Sequence, residues 1–122
     1  MEWIFEQGRP IYTQIVEQIR INIANGTYEP GQQLPSVRDL AMEAAVNPNT
    51  MQRAFSELER DGLIYTVRTS GRFVTEEEGK LDILQKKLGQ EFIEDLFEKL
   101  QKLGMSKKEI MDAIEEWAKE MK

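Results

Sequence analysis

SVRDLAMEAAVNPNTMQRAFSELERDG, residues 36–62, reads as two amphipathic helices joined by a connection with room only for a tight turn. Val37, Leu40, Ala41 and Ala44 recur at the three- and four-residue spacing of a helical face. Ser36 followed by Asp39 resembles a capping box, with Asp in the place usually held by Glu. Asn47-Pro48 is a strong restart, because the Asn side chain can accept from free helix-end amides while proline at the first helical position forfeits no hydrogen bond. Met51, Ala54, Phe55 and Leu58 then give the second helix its buried stripe, and Asp61-Gly62 stops it.

Working outward from this pair, Ile11, Ile15, Val16, Ile19 and Ile23 predict an earlier helix, with Pro10 suited to its first turn and Gly26 to its end. Gly26 to Gly31 is a loop by composition, and Gln32-Gln33-Leu34 suits a short extended stretch before Pro35. On the other side, Leu63-Ile64-Tyr65-Thr66-Val67 and Phe73-Val74-Thr75 flank Arg68-Thr69-Ser70-Gly71-Arg72, which reads as a β-hairpin. Three helices and a hairpin in this order outline a winged helix-turn-helix. The acidic run Glu76-Glu77-Glu78-Gly79 reads as a hinge, and from Leu81 a long apolar stripe begins: Leu84, Leu88, Phe92, Leu96, Leu100 and Leu103, widened by Ile83, Ile93 and Phe97. Gly104 stops that helix. Ser106 with Glu109 is a full capping box before Ile110, Ile114, Trp117 and Met121. The expected fold class is therefore mostly α (α+β), with a winged helix-turn-helix over 1–75, a hinge over 76–80 and a helical hairpin over 81–122.

With 122 residues there is no room for a large ligand-binding domain beside this unit. Cysteine and histidine are both absent, which removes disulfides, thiolate nucleophiles, Cys/His metal sites and imidazole bases together. No carboxylate or lysine constellation around a pocket motif replaces them, so the chain is not expected to be an enzyme or to hold a cofactor or metal. No apolar run approaches the ~20 residues that cross a bilayer, and the first residues do not form a leader. A cytoplasmic protein without membrane contact is the default expectation. The net charge of -6 argues against a nucleic-acid partner only until its distribution is considered. Residues 44–56 and 62–75 contain no acid, yet carry Arg53, Arg68 and Arg72. An acidic protein can still present a basic face.

Pro10-Ile11-Tyr12, then Leu34-Pro35-Ser36-Val37-Arg38-Asp39-Leu40-Ala41, then Val46-Asn47-Pro48-Asn49-Thr50, occurring together and in order, resemble the GntR family, and the Asn-Pro-Asn-Thr restart resembles its YtrA-like subfamily. The resemblance covers essentially the whole chain and is strongest through Val74. It implies a winged helix followed by a short helical dimerisation segment, and a regulator, more often a repressor than an activator, acting on two-fold related DNA half-sites. The wing departs from the family pattern, which often has a second glycine where Thr69 or Ser70 stands.

At about 100° per residue, Asn49, Arg53, Ser56 and Arg60 lie opposite the buried stripe of the third helix, flanked by Thr50 and Gln52. Short amide, hydroxyl and guanidinium groups suit base edges in the major groove. Asn47 is read as a cap that also contacts DNA. Arg38 matches a family position that contacts DNA, and Arg68, Ser70, Gly71 and Arg72 of the wing are placed to reach the backbone or the minor groove. The alternative for Arg38 and Arg53 is an ion pair with Asp39 or Glu57. For Arg60, between Glu59 and Asp61, such a pair is the preferred reading. Gly71 is equally explained as a turn glycine. Trp3 and Phe5 are expected to cover the core or a dimer contact.

The apolar stripes of the C-terminal third exceed what one hairpin can bury, so a homodimer through Leu84, Leu88, Phe92, Leu96, Leu100, Ile114 and Trp117 is expected. The alternative is that the stripe folds back on its own winged domain. A small-molecule effector is left open, whereas the run Glu76, Glu77 and Glu78, a conceivable carboxylate metal site, is read as a solvated charge run. The alternative function is a winged-helix module that binds another protein through its apolar hairpin.

Overall fold

The computed structural model describes residues 3–121. Its elements follow in the order α1 (Ile11–Ala24), α2 (Val37–Ala44), α3 (Pro48–Arg60), β1 (Ile64–Val67), β2 (Gly71–Val74), α4 (Glu78–Lys102) and α5 (Lys107–Lys119). The chain divides into two compact units, one ending at Gln85 and one beginning at Lys86, with the division falling inside α4.

In the first unit α3 packs against α1, α2 and β1. Its stripe of Met51, Ala54, Phe55 and Leu58 is completely shielded, and it meets Ile15 and Ile19 of α1 and Leu40 of α2 in one core closed by Leu34, Leu63, Ile64 and Val74. Each large apolar side chain buried this way stabilises the fold by about 1.5–3 kcal/mol. Gln14 is buried as well. Its carboxamide donates to the Glu6 and Arg9 carbonyls (2.9 and 3.2 Å) and accepts from the Glu6 amide (2.7 Å), which staples the entering chain to α1. Trp3 and Phe5 stack on each other just upstream, both half-buried.

Ser36 caps α2 by accepting from the Asp39 amide at 3.0 Å. The reciprocal bond of a capping box is not formed there, since an Asp side chain is one methylene shorter than the Glu that closes such a box. The turn between α2 and α3 is made by Ala45, which is left-handed with φ 57° and ψ 46°. A Cβ in that conformation is crowded by the following carbonyl, a strain that glycine lacks. Ala45→Gly should therefore raise stability by roughly 0.5–1 kcal/mol, because relief of strain exceeds the extra freedom given to the unfolded chain. Denaturant unfolding measures this. An unchanged or lowered midpoint would show that the turn stores no strain.

β1 and β2 pair antiparallel with Ile64 opposite Val74, Tyr65 opposite Phe73, Thr66 opposite Arg72 and Val67 opposite Gly71. The extended stretch expected at 32–34 runs along the far side of β2, where the Leu34 amide donates to the Arg72 carbonyl (2.8 Å) and the Val74 amide to the Gln32 carbonyl (2.9 Å).

The helix after the wing begins at Glu78, not at Leu81, so most of the expected hinge over 76–80 is helical. Thr75 Oγ1 accepts from the Glu77 amide, the Glu78 carboxylate sits in the first turn where the helix dipole favours it, and Lys80 pairs with Glu77 at 3.0 Å. In the second unit Gly104 ends α4 with φ 83°. Ser106 and Glu109 then form the full capping box, at 3.0 and 3.2 Å. The backbone amide of Ser106 holds the Glu109 carboxyl below its ordinary range, aided by the Ser106 hydroxyl. Ile110 is completely buried, whereas Phe92, Ile93, Leu96, Leu103, Met111, Trp117 and Met121 are exposed.

Candidate nucleic-acid interface

The surface of α3 opposite its core stripe carries Asn49, Gln52, Arg53, Ser56 and Arg60, all exposed, with Thr50 half-buried beside them. Asn47 caps the helix: its Oδ1 accepts from the Asn49 amide at 2.7 Å, which leaves the carboxamide nitrogen as the group available to a ligand. Gln52 reaches the Ser56 hydroxyl one turn on, at 3.3 Å. The alternative for Arg53, an ion pair with Glu57, is absent among the described residues. Instead the Arg53 guanidinium lies 3.7 Å from the centre of the Tyr12 ring, so a residue of α1 sets its direction.

Arg38 is exposed on α2 and makes no ion pair with Asp39 or with any other described residue. Arg60 corrects its expected reading as a partner of Glu59 or Asp61. Asp61 is bound by Arg20 of α1, and Glu59 is taken by the wing, so both carboxylates are engaged by other cations. Glu59 and Asp61 are thus each paired with another cation, and Arg38, Arg60 and Arg68 stand exposed with no carboxylate partner among the described residues.

In the wing the chain reverses over Arg68, Thr69 and Ser70, all exposed, with the Ser70 amide donating to the Val67 carbonyl at 2.9 Å. The Gln33 side chain donates to the Ser70 carbonyl and fixes the tip. Gly71 follows with φ 118°, and a Cβ there would stand 2.9 Å from that same Gln33 nitrogen. The turn therefore requires glycine by itself. Arg72 departs from its expected outward role. It is half-buried, its Nε donates to Glu59 Oε1 at 2.9 Å, and its guanidinium carbon lies 5.5 Å from the centre of the Phe55 ring.

Of the residues expected at an interface between chains, Phe92, Leu96 and Trp117 are exposed in the single chain, and Leu88, Leu100 and Ile114 are half-buried. Leu84 is already buried within the chain, so it is a core residue; it belongs to the part of α4 that lies in the first unit. Sequence reading missed Tyr12, Glu59 and Gln33, whose roles depend on contacts across elements that no local pattern announces.

Residues 11–74 match the family described as bacterial regulatory proteins, gntR family. The chain is 35% identical over 118 residues to the HTH-type transcriptional repressor YtrA of Bacillus subtilis (strain 168), an alignment spanning 92% of this chain and 84% of the relative. A GntR family transcriptional regulator from Listeria monocytogenes superposes with a TM-score of 0.83 at 40% identity, over 97% of this chain and all of that one. The DNA-binding domain of AraR, solved in complex with operator ORX1, matches with a TM-score of 0.57 at 30% identity, over 62% of this chain and 96% of that one. With residues 11–74 matched to the family and 92% of the chain matched to the repressor YtrA, the chain belongs to the GntR family of bacterial regulatory proteins, in its YtrA-like branch.

Proposed function

We propose that the chain is a sequence-specific transcriptional repressor that acts in the cytoplasm as a homodimer on a two-fold operator and performs no catalytic step of its own. The observation that carries this reading is the exposed face of α3, polar and free of acid from Asn47 to Ser56, on a helix whose other side is locked into the core. The operator-bound AraR domain supports it, as does the repressor YtrA. Arg38, Asn47, Asn49, Thr50, Gln52 and Arg53 are the groups proposed to meet the major groove and its phosphates, and Arg68, Ser70 and Gly71 those at the wing. The domain boundary proposed is functional: a DNA-binding part through Thr75, and helices from Leu81 onward that join two copies through Phe92, Leu96, Trp117 and their half-buried neighbours Leu88, Leu100 and Ile114. An open cleft of about 480 Å³ lined by Glu59, Ile64, Tyr65, Thr75, Glu76, Glu77 and Lys80 has room for a small effector.

The test is binding to the region upstream of the protein's own gene against a scrambled duplex of equal length, across a salt series. Selective binding with two chains per site is expected. Equal or absent binding on both duplexes would displace the repressor reading in favour of a protein-interaction module. Arg53→Ala should weaken the selective complex by about 1–3 kcal/mol while leaving the dimer intact. Unchanged affinity in a folded dimer would remove Arg53 from the recognition surface.

A further inference from the structure

One carboxylate ties the recognition helix to the wing. Glu59 sits in the last turn of α3, and its Oε1 accepts from two donors at once: the Thr66 hydroxyl on β1 and the Arg72 Nε on β2. Thr66 and Arg72 are directly opposite each other in the hairpin, so both strands are held at the same rung. Arg72 is gripped a second time by Phe55, one turn back on α3, whose ring lies beneath its guanidinium. The side chains of the pair are only 35% and 26% exposed, close to those of Arg20 with Asp61 and well below the Lys99–Asp95 and Lys102–Glu98 pairs of α4. A hairpin of two four-residue strands is marginal in isolation, so its angle to α3 depends on such anchors.

We propose that Glu59 and Arg72 are positioning residues for operator recognition, a brace that sets the wing relative to the recognition helix, and that Arg72 is not a phosphate contact. The inference rests on the DNA-binding reading above. Glu59 would be a liability facing phosphate if it were free, and the Arg72 charge is consumed in neutralising it. The cation that the wing offers to DNA is then Arg68 at the exposed tip.

The two roles differ in measurable ways. A phosphate contact supplies affinity on any sequence and lowers the salt slope by about 0.9 when removed. A brace supplies agreement between helix and wing, so its loss lowers the ratio of affinities for the upstream duplex and the scrambled one and leaves the slope in place. For Arg72→Gln and for Glu59→Ala we expect that ratio to fall roughly tenfold, with the double variant falling no further, as befits one coupled network. The sign for Glu59 is telling, because deleting an acid from a DNA-binding helix otherwise strengthens binding. Hydrogen exchange without DNA completes the test: amides of β1 and β2 should exchange faster in both variants while those of α1 stay protected.

Equal loss on both duplexes with a reduced slope in Arg72→Gln would overturn the brace and make Arg72 a phosphate contact. An unchanged ratio in both variants, or unchanged exchange in the wing, would also overturn it. If the unmodified protein shows no selectivity, the regulator reading falls and takes the recognition role of the brace with it. Wing exchange in the variants then shows whether the mechanical coupling exists.

Discussion

Phe55→Ala is expected to destabilise the first unit by about 3–5 kcal/mol. The ring is completely shielded, lies on the one helix that contacts α1, α2 and β1, and underlies the Arg72 guanidinium. Truncation removes its transfer energy and leaves a cavity that three rigid neighbours cannot collapse to fill. Against a total stability of about 5–15 kcal/mol for a domain of ordinary size, that loss leaves the fold marginal. Urea unfolding followed by circular dichroism gives the value. A loss under about 1 kcal/mol would mean that α3 is not the hub of the core. Because the same helix carries the proposed base-reading groups, selective DNA binding should disappear over the same temperature range in which the variant melts.

The second large effect belongs to the other unit. Leu96 is exposed on α4 in the single chain and is not part of its buried core, and Leu96→Glu places a charge in the proposed contact between chains. The variant should keep its helical content and sediment as a monomer at concentrations where the parent is expected to sediment as the proposed dimer. Operator affinity should then drop by about 10²–10⁴, the range expected when two linked binding events become one. A variant that stays dimeric with unaltered DNA affinity would locate the interface elsewhere and leave the exposed Phe92, Leu96 and Trp117 unexplained.

Most of the architecture was legible because it rests on local signals. Asn47-Pro48 marks the start of α3 as written, Asp61-Gly62 its end, and Ser106 with Glu109 the start of α5, since caps and glycine stops act within a turn of the residues that form them. The shielded stripes followed from spacing alone. What escaped depends on length by one methylene or on partners far along the chain. Asp39 cannot do the work of Glu in closing a box, and three acids in a row suggested a hinge where the last of them, Glu78, favours the first turn of α4. The exposed face of α3 was legible for the same reason as its core, by angular position. The direction of its arginines was not, because Tyr12 lies 41 residues before Arg53, and the hold of Glu59 on Arg72 exists only once the hairpin has folded back.

The stacking of Arg53 on Tyr12 bears on the thermodynamics of recognition. An arginine side chain carries about 2 kcal/mol of rotamer entropy, which a freely moving residue surrenders when it docks on a base. Here the aromatic ring restricts those rotamers in the free protein, so much of that entropy is lost during folding and little remains to be lost at the encounter with DNA. The proposed reading head is preorganised by a residue that lies on another helix, and Tyr12→Ala would leave the number of donors aimed at DNA unaltered while making their capture entropically steeper.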